Sequence, residues 1–312
     1  MSRPDSELIP RNKLAQHLAE SGDVVAILDA ASLPGLPERI ESRQIAALCL
    51  FTGDLTETLR DVAPYLMRLA PENPLLRDYV NDGDVPWAMW KKRAGILMRT
   101  DLGLSELQRH FRRMLRVRTE SGTFFFRFWE PATAHAYFSE IALSEDRGRW
   151  FYPREGGQID AYLVPDLKND GLRIYRADGP RPDHRPWENR PFTLHPSEVA
   201  ALRATRINLN LEQMVRMMTQ TFPSKVATIS PADLERGLRR SVARAAEFGI
   251  RQRPNAFRLA AWDLHADGDF EDVDPVGELR QILEADLLEQ DKMQRLLDRI
   301  ADLGPANSDE KT

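Results

Sequence analysis

Cysteine is almost absent. The 312-residue chain has one, Cys49, which excludes an intramolecular disulfide and a multi-cysteine zinc site. Within "AALCLF", with no histidine nearby in sequence, it reads as a small buried hydrophobe on a strand rather than a nucleophile. Long apolar runs are missing too, and the opening "MSRPDSELIPRNKL" has no apolar core behind its charges. Neither a transmembrane nor a signal segment is expected, and the expected location is the cytosol, without membrane insertion. Nor is there a strong excess of one charge: the formal net charge is −5, which gives no global bias toward nucleic acid. Histidines are few and scattered (His17, His110, His135, His184, His195 and His265), with no metal-ligand spacing between them. The chain lacks a glycine-flanked serine elbow, an HExxH pair and a Walker loop. No cofactor and no catalytic residue is therefore expected from motifs, and any carboxylate site would have to be assembled by the fold.

The length suits one large or two ordinary domains. From Leu14 to about Arg176 short β-rich runs alternate with amphipathic helical segments, which argues for an α+β or α/β N-terminal lobe with a central β-sheet flanked by helices. The spacing predicts strands over 24–28, 46–51, 95–99, 115–118, 124–128, 159–164 and 172–175. Helices are predicted near 12–20, 36–43, 54–62, 73–81, 104–113 and 131–139. "RTESGTFFF" reads as a hairpin, with Ser121 and Gly122 in its turn. The proline-dense 177–196 reads as a linker. After it, 197–303 reads as an all-α lobe, with Ser197 as a cap candidate, Ser230 before Pro231, and a Leu234, Leu238, Val242, Ala245 stripe. Further helices are predicted over 255–265, 275–284 and 290–303, and residues 304–312 read as a disordered tail. The domain boundaries are thus 1–176, 177–196, 197–303 and 304–312.

Three stretches invite a chemical reading. In "FFFRFWEP", 124–131, strand alternation puts Phe124, Phe126 and Phe128 on one face and Phe125, Arg127 and Trp129 on the other. The first three are expected in the core. Arg127 is expected to stack between Phe125 and Trp129 and to pair with a carboxylate, Asp29 being the candidate. Glu130 and Pro131 suit the start of the next helix. The basic run 109–118 offers a phosphate-binding patch for a nucleic-acid-binding module, but Leu104, Leu107, Phe111 and Met114 form an apolar stripe that leaves the arginines on a solvated face. "DLHADGDFEDVD" places Asp263, Asp267, Asp269 and Asp274 at calcium-loop spacing. His265 is a poor hard-cation ligand and Asp274 is short for the last position, so the simpler reading is an acidic helix-to-helix turn.

Taken in order, "AILDAASLPGLPERI", "AALCLFTGDL", "VAPYLMRLAPENPLLRDYV" and "GILMRTDLGLSELQRHFRRMLRVRTESGTFFFRFWEP" resemble the N-terminal domain of the type VI secretion effector adaptors, the Tap or TEC chaperone family, over roughly residues 20–165. The family pattern is matched by Asp29, Ala30 and Ala31, by Val62 to Leu66, by Arg116, Val117 and Arg118, and by Phe126, Arg127, Phe128, Trp129, Glu130 and Pro131. Glu130 stands where Asp is common. Ala132 stands where Arg often follows the proline, so no role of that second arginine carries over. The resemblance implies a non-enzymatic cytosolic adaptor that binds a type VI effector and helps load it onto the VgrG spike protein, with Asp29, Arg127, Trp129, Glu130 and Pro131 serving structure. The helical lobe is then the first candidate for cargo binding, through grooves between stripes such as Leu287, Leu296, Ile300 and Leu303, unless these bury one another. The alternatives are an enzyme whose carboxylate and arginine site assembles only in the fold, and the nucleic-acid-binding module.

Overall fold

A computed structural model describes residues 7–304 except 21, 52, 54–56, 120–121, 142–144, 155 and 178–186. The predicted turn residue Ser121 and residues 305–312 of the predicted tail lie outside the described residues. The chain divides into two compact units, with the boundary after Arg206.

Unit 1 is built on a seven-stranded, wholly antiparallel sheet in the order β1-β9-β8-β5-β2-β4-β3. The strands are β1 (Glu7–Pro10), β2 (Val24–Asp29), β3 (Ala47–Cys49), β4 (Pro64–Leu69), β5 (Gly95–Thr100), β8 (Ile159–Asp166) and β9 (Gly171–Arg176), while β6 (Arg116–Thr119) and β7 (Gly122–Phe125) form a separate hairpin. Antiparallel sheets often leave one face wet, but both faces are covered here. Along β2, Val25 and Ile27 enter one core while Val24, Ala26 and Leu28 enter the other. This explains why "VVAIL" reads as an unbroken apolar run. Over the first face lie α4 (Leu104–Arg112), α5 (Pro131–Ile141) and α6 (Gly148–Phe151); over the second lie α1 (Leu14–Glu20), α2 (Leu36–Ser42) and α3 (Pro74–Val80). The central-sheet expectation therefore holds.

Two strands were not predicted. β1 is a four-residue edge strand whose Pro10 can donate nothing to a ladder. β4 begins on a proline and has no clean alternation, yet it pairs with both β2 and β3. The linker reading of 177–196 also needs revision. Trp187, Phe192 and Leu194 are buried in the first core, and the backbone at Phe192 and Leu194 hydrogen-bonds to Arg118 of β6 (3.3 and 3.1 Å). Proline forbids helix in such a stretch but not packing, so residues 187–196 belong to unit 1, which reaches Arg206.

Unit 2 is all helical. Helix α7 (Pro196–Thr221) crosses the boundary, followed by α8 (Pro223–Val226), α9 (Pro231–Glu247), α10 (Arg253–Ala266), α11 (Glu278–Glu284) and α12 (Glu289–Leu303). Helix α7 begins one residue before Ser197, and Glu198 supplies the terminal contact by accepting from His195 N (2.8 Å). Ser230 does cap α9, accepting from Asp233 N (3.1 Å) ahead of Pro231. Leu234 and Leu238 meet Leu211, Met214 and Met218 of α7 in one core; Ala245, Leu259, Leu279, Leu283 and Leu296 fill a second. Ile300 and Leu303 pack against that second core, so most of the α12 stripe proposed for a groove is spent inside unit 2.

The polar face of α12 closes the ends of other helices. The buried Lys292 donates to the carbonyls of Phe248, after α9, and Leu283, in α11 (both 2.7 Å). Glu289 accepts from Arg251 N (3.0 Å), Gln252 N (2.9 Å) and Asn255 at the start of α10. A cation at carbonyl ends and a carboxylate at an amide end satisfy groups that a helix alone leaves open.

Candidate functional site

Asp29 ends β2, and Arg127 and Trp129 lie in the turn that carries the chain from β7 into α5. Strand β7 ends at Phe125; Phe126 N still bonds across the hairpin to Leu115 O (2.8 Å), and the chain then turns where Glu130 N closes onto Arg127 O (3.1 Å). This turn swings Arg127 onto Asp29. Arg127 Nη2 pairs with Asp29 Oδ2, to which Trp129 Nε1 also donates (3.1 Å), while Ala31 N donates to Oδ1 (3.0 Å). Asp29 and Trp129 are buried, whereas the Arg127 side chain is 47% exposed. The carboxylate is thus covered by three protein donors. Glu130 is spent as well: Oε1 accepts from Ala132 N (3.3 Å) and Oε2 from Thr133 N (2.7 Å), capping α5 just ahead of Pro131 at its first position.

The aromatic residues divide differently from strict alternation. Phe126 and Phe128 are buried as predicted, but Phe124 is exposed, along with Phe125, because β7 forms an outlying hairpin rather than a strand of the main sheet. Phe125 and Trp129 meet each other edge to face, with centroids 5.8 Å apart, rather than sandwiching Arg127. Behind them Phe126 and Phe128 contact Trp150. Trp150 donates to the Tyr137 hydroxyl (2.9 Å), and Tyr162 donates to the Trp150 carbonyl (2.6 Å). Burial holds both phenols well above their ordinary pKa.

Replacing Asp29 with alanine leaves the buried Trp129 N–H without its acceptor. The expected cost is about 1–3 kcal/mol, since the half-exposed Arg127 can turn to water. Urea unfolding followed by tryptophan fluorescence measures it, and an Asp29→Ala midpoint equal to wild type would show that the contact is not structural.

The basic run places Leu107, His110 and Phe111 of α4 in the interior and leaves Arg109, Arg112, Arg113, Arg116 and Arg118 exposed. The calcium-spaced aspartates are held by cations of other helices. Asp263 binds Arg244 (2.9 Å) and Ser241 (2.6 Å), Asp269 binds Arg244 (2.8 Å) and Arg240 (2.7 Å), and Asp267 binds Lys225 (2.7 Å). Asp274 takes a forked contact from Arg299 (2.9 and 2.7 Å) and the amides of Val276 and Leu279. Among the described residues no group of three or more His, Cys, Asp or Glu side chains is placed to hold a metal ion.

Hydrogen bonds from Arg299, then those from the two amides, hold Asp274 far below the usual carboxylate range. A depressed carboxylate stabilises the fold fully above its unfolded value, near 4, and the contribution is lost as pH falls toward the folded value. Unit 2 should therefore lose stability below about pH 4, and the loss should be shallower in Arg299→Met. Chemical unfolding at stepped pH tests this; equal slopes for wild type and variant would contradict it.

Cavities lie elsewhere. One in unit 1, of about 210 Å³, is lined by Arg113, Arg149, Trp187, Arg190 and Phe192 among others. Sequence reasoning missed it because Trp187 to Phe192 fell in the presumed linker, and nothing in their spacing links them to α4 and α6. One in unit 2, of about 230 Å³, adjoins Ser241 and Asp263. Among the described residues no helix is long and apolar enough to cross a membrane.

No curated protein and no solved structure is significantly similar to this chain. Residues 25–147, which run from β2 through Asp29, Arg127 and α5 to the threshold of α6, match the family described as "Domain of unknown function (DUF4123)".

Proposed function

We propose that the protein is a cytosolic adaptor that binds a type VI secretion effector and helps load it onto the VgrG spike, without catalysing a reaction itself. The observation that carries this reading is that the ordered motifs resembling those adaptors, at 29–31, 62–66, 116–118 and 126–131, fall within one matched stretch. The polar members of the first and last motifs, Asp29, Arg127, Trp129 and Glu130, are spent on the fold. Asp29 and Glu130, the carboxylates an enzyme reading would recruit, are filled by Arg127, Trp129 and backbone amides, which leaves them poorly suited to acid-base work. Unit 2, outside the matched stretch, is the proposed cargo-recognising part.

The test is to co-express the tagged protein with a candidate effector and VgrG, purify it by affinity, and read the partners by mass spectrometry. Recovery of both supports the adaptor role. Recovery of neither, with the tagged protein demonstrably folded, overturns it.

A further inference from the structure

The unit 1 cavity serves none of the motifs above, and its chemistry is one-sided. Among the described residues Arg113, Arg149, Arg154 and Arg190 line it against one carboxylate, Glu188, and Trp187 and Phe192 give it aromatic walls. These residues come from the end of α4, from α6, from the loop after α6 and from the 187–192 segment, so the fold alone gathers the charge. The aromatic wall is tightly built: a Cβ on Gly148 would lie 2.2 Å from Cη2 of the Trp187 ring.

Arg149 is the most buried of the four. Its side chain is only 11% exposed. Nη1 donates to Arg190 O (3.1 Å), and the guanidinium carbon lies 5.6 Å from the Phe192 ring centroid. Nε and Nη2 are buried with no hydrogen-bond acceptor among the described residues, and the nearest ion-pair oxygen, Asp146 Oδ1, stands 3.7 Å off. A cation removed from water without a close partner is costly, and an anion nearby recovers part of that cost. Burial accordingly pulls the guanidinium pKa down. Arg113, Arg154 and Arg190 are exposed and add attraction of the same sign.

Size narrows the ligand. Pockets for whole cofactors or drug-sized molecules begin near roughly 300 Å³, so this cavity suits one or two side chains. Its arginines converge on a hole rather than spreading in the stripe that tracks a nucleic-acid backbone. Building on the adaptor reading, we propose that the cavity receives an acidic segment of a partner protein, a glutamate or aspartate against the arginines with an adjoining apolar side chain against Trp187 and Phe192.

The probe is a dye-labelled peptide of alternating glutamate and phenylalanine, titrated into the full chain by fluorescence anisotropy. A lysine-phenylalanine peptide and inorganic phosphate serve as comparisons. The acidic peptide is expected to bind and to weaken as salt rises, while the basic one does not bind. Arg113→Glu combined with Arg154→Glu, both exposed, should weaken it about tenfold or more, with near-UV circular dichroism checking the fold; Arg216→Glu, on unit 2, should not. Arg149→Met should weaken binding too, with near-UV circular dichroism checking its fold. Equal binding of both peptides, no loss in the double variant, or binding of phosphate without the acidic peptide would overturn the proposal. The co-purification separates the two levels. If wild type recovers the effector or VgrG and the double variant recovers them equally, the cavity proposal fails and the adaptor reading stands. If wild type recovers neither, the adaptor reading itself fails.

Discussion

Gly95→Ala is expected to leave unit 1 without its native sheet. Gly95 opens β5 opposite Leu28 of β2, and its φ of +154° is one that side chains rarely adopt. A Cβ there would sit 1.8 Å from Ile27 O and 3.1 Å from Leu28 Cα. Both are backbone atoms of the adjoining strand β2, so no rotamer change relieves the overlap, and separating β2 from β5 breaks both cores. The Tyr79 hydroxyl, which donates to Gly95 O (2.9 Å), also loses its place. The cost should exceed about 4 kcal/mol, a large part of a domain's usual 5–15 kcal/mol, in round terms. Far-UV circular dichroism and limited proteolysis read the outcome, and a native profile would refute it. Gly237→Ala in α9, where a Cβ meets nothing within 4 Å, is the comparison and should gain about 0.5–1 kcal/mol.

The second large effect is expected in unit 2, from Arg244→Ala. The guanidinium donates to Asp263 (2.9 Å) and to both oxygens of Glu271 (2.6 Å each), and lies 2.8 Å from Asp269. Asp263 and Glu271 are buried. Removing the cation leaves these charges without their main partner, at an expected cost of about 3–5 kcal/mol. Arg244→Lys should recover only part of this, because a single ammonium cannot reproduce the forked contact. Glu271→Gln should be milder, since Arg244 keeps its other two carboxylates. Differential scanning calorimetry should show the unit 2 transition moving down while that of unit 1 stays in place. An unchanged unit 2 transition in Arg244→Ala would exclude this account.

These two sites differ in how far they could be read from sequence. Nothing in "GILMR" announces the close approach of β5 to β2, because a glycine opening a strand looks like ordinary turn chemistry. The acidic spacing from Asp263 to Asp274 is visible, but spacing says nothing about Arg244 and Arg299, which arrive from α9 and α12. Calcium-loop geometry and an arginine-filled acidic turn are therefore indistinguishable along the chain. The Asp29–Arg127 contact was legible for the opposite reason: a guanidinium among aromatic residues needs a carboxylate, and the family pattern supplied a short list. Phe124 was misplaced because alternation was extended across a bend, and β4 escaped because it begins on proline and pairs on both sides. The cavity was illegible altogether, since the prolines of 177–196 hide apolar residues that fold back onto unit 1.

The position of α12 has a bearing on how the protein is made. During synthesis α9, α10 and α11 are made before Glu289, Lys292 and Arg299. Until then the carbonyls of Phe248 and Leu283 and the amides of Arg251 and Gln252 lack the side chains that satisfy them in the folded unit, and Asp274 lacks its forked contact. Unit 2 is thus finished after translation of α12, when unit 1 has long been complete in sequence. The closing of unit 2 therefore waits on its last described helix, and a chain cut short before α12 would be expected to expose helix ends that invite aggregation.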